Sequence, residues 1–121
     1  MDLNIADRVA LVTGASQGLG FAIARELACE GASVAIVARR KPELDAAASE
    51  ILKVARTRVL PIPADVSKEG EADRVSRLAE ESLGPIDILV ANAGAREANR
   101  AQQVQLKRRD ILFVARRLEQ R

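Results

Sequence analysis

Histidine, tryptophan and tyrosine are missing from this 121-residue sequence, phenylalanine occurs twice, and Cys29 is the single cysteine. Without a second thiol or any imidazole, neither a disulfide framework nor a thiolate–histidine zinc site can be assembled. Cys29 stands next to Leu27 and Ala28 and one turn from Ala24, so it reads as a small buried hydrophobe and not as a reactive thiol. Long apolar runs are missing too. Stretches such as residues 34–38 and 86–91 fall far short of the roughly 20 residues a membrane-spanning helix needs. Residues 1–8 carry Asp2 and Asp7 and no apolar segment, unlike a secretory signal. The expectation is a cytoplasmic protein with no membrane partner.

What is present suits one compact core. Apolar residues make up 48% of the chain and charged residues 30%, and a chain of this size buries roughly two-thirds of its unfolded surface. The formal net charge of +2 conceals an asymmetry. Residues 1–94 hold 11 basic and 14 acidic side chains, whereas residues 95–121 hold 8 and 3. Two segments of unlike character are expected, 1–94 and a basic tail over 95–121.

In the first segment, short β-branched runs alternate with stretches of helical period, the pattern of βαβ units around a parallel sheet. Strands are expected over 8–13, 33–38, 58–62 and 86–91, each mostly apolar, as in a sheet covered on both faces. A first helix aligns Leu19, Ile23 and Leu27 beside Ala24 and Ala28 and stops at Gly31. A second opens at Pro42 and repeats Leu44, Ala47, Ala48, Ile51 and Ala55. The third takes Ser67 as N-cap and Glu69 and Glu71 in its first turn, then places Val75, Leu78, Ala79 and Leu83 on one face. Pro61 and Pro63 mark the third strand as an edge, where a missing N–H does no harm. Right-handed crossovers then order the strands 3-2-1-4, a partial doubly wound α/β sheet of Rossmann type.

Between the first strand and first helix runs Thr13-Gly14-Ala15-Ser16-Gln17-Gly18-Leu19-Gly20. Gly14 permits a tight turn, Gly18 lets backbone approach a pyrophosphate, and Gly20 lets the helix pack closely on the sheet. The helix N-terminus adds N–H groups and partial positive charge. The spacing is G-x-x-x-G-x-G, not G-x-G-x-x-G. The second strand ends in Ala38-Arg39-Arg40, where an NAD-selective site usually places an acid on the ribose 2′-hydroxyl. Arg39 or Arg40 can pair there with a 2′-phosphate. Asp65-Val66 after the third strand and Asn92-Ala93-Gly94 after the fourth fall at the same carboxyl-end rim. For Asp65, contact with an adenine amino group and simple helix lead-in both remain open.

These motifs in this order and spacing resemble the short-chain dehydrogenase/reductase family, over residues 5–94. The resemblance implies that the glycine turn holds the pyrophosphate, the Asp-Val pair contacts adenine, and the Asn-Ala-Gly loop steadies the central strand beside the adenosine ribose. Those roles fall on Gly14, Ser16, Gly18, Leu19, Gly20, Asp65, Val66, Asn92, Ala93 and Gly94. The residue before the second glycine, often basic in NADP-preferring relatives, is Gln17 here, so the expected NADP(H) preference leans on Arg39 and Arg40.

The family reduces carbonyls or oxidises alcohols with a Tyr-x-x-x-Lys pair and an upstream Ser, and no tyrosine occurs in this sequence. The family also runs to about twice this length. The implied function is an NADP-dependent oxidoreductase represented by its cofactor half, with no catalytic residue and no metal site, inactive by itself. The alternative is a catalytically dead nucleotide-binding or protein-interaction module. A truncated or frameshifted gene would also account for the abrupt change after Gly94, where the resemblance fades. The tail reads as a helix with Val104, Ile111, Val114, Ala115 and Leu118 on one face, although residues 111–115 also fit a short strand. Lacking aromatics for base stacking, its charges read as a solvated face and not a nucleic-acid surface. The open edge of the fourth strand or the tail helix offers a route to a homo-oligomer.

Overall fold

The computed structural model describes residues 5–91. Seven elements alternate along them: β1 (Val9–Thr13), α1 (Gly18–Cys29), β2 (Ser33–Ala38), α2 (Lys41–Leu52), β3 (Val59–Pro63), α3 (Glu71–Leu83) and β4 (Ile88–Val90). The strands form one sheet in the order β3-β2-β1-β4, every pair parallel, as the sequence leads one to expect. Period two along each strand divides the core. Ala10, Val12, Val34, Ile36, Ile88 and Val90 turn to the face covered by α1 and α2. Val9, Leu11, Ala35, Val37, Ile62 and Leu89 turn to the face covered by α3. Side chains that alternate across a pleated strand can satisfy both layers only if nearly every position is apolar, and β1 is buried at all five residues.

Pro61 and Pro63 lie in β3, an edge strand that pairs on one side with β2, opposite Ile36 and Ala38. The start of the sheet is held by polar contacts. Asp87 Oδ2 accepts from Val9 N at 3.0 Å while Asp87 N donates to Val9 O at 2.8 Å. Thr57 Oγ1 donates to Ala32 O at 2.7 Å.

Five expectations need correction. The buried face of α1 is Gly20, Ala24, Leu27 and Ala28, so Leu19, on its first turn, is 54% exposed. Small residues bring that helix close to the sheet, and the face that results leaves Leu19 outside it. Cys29 follows Ala28 by about 100° of rotation and is exposed, not buried. The third helix begins at Glu71 with Gly70 as its N-cap. Ser67 is instead taken up in a turn with Asp65, and Glu69 precedes the helix. On α3 the buried residues are Val75, Ser76 and Ala79, with Leu78 at the flank and 37% exposed. The second strand keeps its expected bounds, 33–38, while the ends of the other three shift by one or two residues, as β3 and β4 show most clearly. The tail over 95–121 lies outside the described residues.

Register sets where the chain can do chemistry. Thr13 pairs with Val37, Ala38 with Pro63, and Val12 with Val90. The turn after β1, the Arg39-Arg40 pair and Asp65 therefore emerge at one rim of the sheet.

Candidate functional site

A cleft of about 460 Å³ opens at that rim, within the range of about 300–1,000 Å³ common for small-molecule sites. Its walls come from the turn after β1, the end of β2 with the start of α2, and the loop after β3. Ala15 N donates to Val37 O at 3.1 Å, which ties the turn to the neighbouring strand. Gly14 and Gly18 take left-handed φ values of 61° and 65°, a region L side chains rarely adopt. A Cβ built on Gly18 would meet nothing within 4 Å. The space beside this backbone is thus open to a ligand, and Gly20 behind it is buried against the sheet.

The start of α1 differs chemically from the other two helix starts. As at the other two, the N-cap, here Gln17, makes no side-chain cap bond, but the first turn of α1 carries no acid. Helix α2 has Glu43 in its first turn, and α3 has Glu71 and Asp73. The leading N–H groups and partial positive charge of α1 are therefore available to an anion.

Arg39 and Arg40 follow β2 and are both exposed. Arg40 is the N-cap of α2 and pairs through Nη2 with Glu43 Oε2 at 3.1 Å. Arg39 has no such ion pair among the described residues. Its charge acts on Asp65, whose carboxyl is held below its ordinary value. The larger causes are the Ser67 hydroxyl and N–H, which donate to Asp65 Oδ1 at 2.6 and 3.0 Å, against a smaller opposing effect of burial. Both bonds fall on Oδ1.

The structure brings Gly14, Ser16, Gln17, Arg39, Arg40, Asp65 and Val66 together around the cleft. Gly18 and Leu19 are exposed at the start of α1, outside the lining. Asn92, Ala93 and Gly94 lie outside the described residues. Glu43 and Ala64, absent from the sequence-based site, also line the cleft. The signal for Glu43 was its place three residues after Arg40 on the first turn of a helix, where the two side chains meet. Among the described residues, no group of three His, Cys, Asp or Glu side chains could hold a metal ion.

Comparison with known proteins agrees with this geometry. Residues 8–114 match the family model of the short chain dehydrogenases. The match runs past Gly94, where the sequence reading lets the resemblance fade. A short chain dehydrogenase of Pseudocercospora fijiensis is 41% identical over 91 residues, which cover 75% of this chain and 29% of that protein. The L-sorbose reductase of Gluconobacter frateurii, solved with NADPH and L-sorbose, superposes with a TM-score of 0.73 at 41% identity, covering 78% of this chain and 36% of that one. A short-chain dehydrogenase/reductase of Serratia marcescens gives a TM-score of 0.80 at 29% identity over 91% of this chain and 56% of its own. The chain thus spans between about a third and just over half of these relatives, and across that span it belongs to the short-chain dehydrogenase family.

Proposed function

We propose that this chain is the NADP(H)-binding half of a short-chain oxidoreductase that moves hydride between nicotinamide and a carbonyl or alcohol. The observation that carries the reading is the convergence, at one cleft, of a glycine turn leading into a helix start with no first-turn acid and of Arg39 at the end of β2, which makes no ion pair among the described residues. The residues fit the group. Open space at Gly18 suits a pyrophosphate against backbone, and the uncapped N-terminus of α1 suits its charge. Gly14, Ser16 and Gln17 would shape the turn around it, with Leu19 and Gly20 continuing into the helix. Arg39 would hold the 2′-phosphate, and Asp65 with Val66 would border the adenine. The relation to an NADPH-bound reductase supports the same cofactor. When bound, the cofactor supplies or accepts the hydride. What these residues do is bind it, orient it and select between its phosphorylated and unphosphorylated forms.

The test is a fluorescence titration of NADPH and NADH against the protein and its Arg39→Ala variant. Loss of one charge-assisted contact should weaken NADPH by about 1.5–3 kcal/mol, roughly ten- to a hundredfold. NADH should change little. Equal losses for both cofactors, or none for NADPH, would refute the phosphate role of Arg39.

A further inference from the structure

We propose that Glu43 is a selectivity residue which weakens binding of the 2′-phosphorylated cofactor by holding Arg40 and by placing a negative charge on the cleft wall. The proposal rests on the NADP(H) reading above and adds to it a residue acting against that preference. Four charged side chains line the cleft, Arg39, Arg40, Glu43 and Asp65. Their formal charges cancel. A wall built to favour a phosphate dianion would carry an excess of positive charge, and here two carboxylates offset both guanidinium groups.

The two acids are not equivalent. Asp65 is engaged by Ser67 through two hydrogen bonds to one oxygen and belongs to the loop after β3. Glu43 belongs to the first turn of α2 and closes on Arg40 at 3.1 Å, three residues earlier. Both partners of that pair are largely in water, the Arg40 side chain 77% exposed and that of Glu43 46%. A pair so exposed contributes little to stability. Its effect is on the ligand: Arg40 can give a 2′-phosphate its charge only by sharing it with Glu43 or breaking from it. Among the described residues, the two-residue basic sequence at the end of β2 therefore delivers one guanidinium outside an ion pair, that of Arg39. The result is a preference for the phosphorylated cofactor held below what two unshared guanidinium groups would give.

The experiment uses the full chain and two probes that occupy only the adenosine end, adenosine 2′,5′-bisphosphate and 5′-AMP, followed by amide chemical shifts in NMR titrations. Glu43→Gln removes the charge and keeps the side chain's size. It should tighten the bisphosphate about three- to tenfold, the range expected for one charge several ångströms from a dianion in partly screened solvent. Binding of 5′-AMP should stay within about twofold, and the gain should shrink in roughly 0.5 M salt as screening shortens. Arg40→Ala should weaken the bisphosphate more in the Glu43→Gln background than in the original chain, because Arg40 is released there. A merely structural role for Glu43 in α2 would move both probes alike. An unchanged or weaker bisphosphate affinity in Glu43→Gln, or an equal shift for 5′-AMP, would overturn the proposal. Arg39→Ala, titrated alongside, separates the two failures. If it loses the bisphosphate as expected while Glu43→Gln is flat, this inference alone falls. If Arg39→Ala leaves the bisphosphate untouched, the NADP(H) reading falls and this inference falls with it.

Discussion

Arg39 and Arg40 are neighbours in sequence but differ in company, and that difference is invisible without the fold. Each stands at a strand end where an acid would mark NAD selectivity. Only the pairing of Arg40 with Glu43 shows that one guanidinium is already engaged. Asp65 shows the same limit. Its location after β3 was legible from the alternation of strands and helices, whereas its partner was not, because Ser67 looked like a helix cap and proved to be a turn residue. The Ser67 bonds favour the ionised carboxylate, so the Asp65 value falls below its ordinary 3.8. A lowered carboxylate contributes stability that is fully present above the unfolded value, near pH 4, and is lost as pH falls through the folded value. Ser67→Ala removes the hydroxyl donor and leaves the N–H. The Asp65 carboxyl should then titrate closer to 3.8 in an NMR pH series, and no change would mean that the hydroxyl is not the dominant cause.

At the level of elements, the strands were the most legible feature because burial on both faces forces a nearly continuous apolar run, and prolines forced β3 to an edge. The helices were legible in number and weaker in phase. Ala24, Ala28 and Ala79 take the inner positions that the period assigns them, but hydrophobicity also places Leu19 and Leu78 inward, whereas the close approach of small residues to the sheet leaves both leucines exposed and turns Ser76 inward. Packing distance decided the rotation, and hydrophobic period alone does not encode it. Ile36 and Leu52 illustrate the contrast. Ile36 is fully buried at the centre of β2, between Val12 and Pro61, while Leu52 at the end of α2 is 55% exposed. Ile36→Ala should cost about 2–5 kcal/mol in urea unfolding, from lost transfer energy and the cavity left behind. Leu52→Ala should stay within about 0.5 kcal/mol. Similar small losses at both positions would show that the centre of the sheet is loosely packed.

For the molecule as a whole, binding and turnover make separate demands, and the polypeptide of these 121 residues is expected to meet the first better than the second. Reduction of a carbonyl needs a proton for the developing alkoxide, and a positioned general acid contributes typically 10²–10⁴-fold. The sequence holds neither tyrosine nor histidine to supply it. Lysine is the remaining cationic donor of moderate pKa. Lys41 is bound to Asp45 at 2.9 Å and Lys53 to Glu50 at 3.0 Å, both on exposed helix surface. Lys68 is exposed before α3, none of these three lines the cleft, and Lys107 lies outside the described residues. Among the described residues β4 is the last strand of the sheet and pairs on one side only, with β1. The expected outcome is a protein whose addition changes NADPH fluorescence but not the rate at which NADPH absorbance decays. Ketones, aldehydes and oxoacyl thioesters make up the substrate panel. Gly18→Asp serves as the control, since it adds a side chain and a negative charge to the open backbone at the start of α1. Oxidation of NADPH above that control would overturn the expectation and direct the search to an acid outside this cleft, while fluorescence change without decay would place this polypeptide on the binding side of the division.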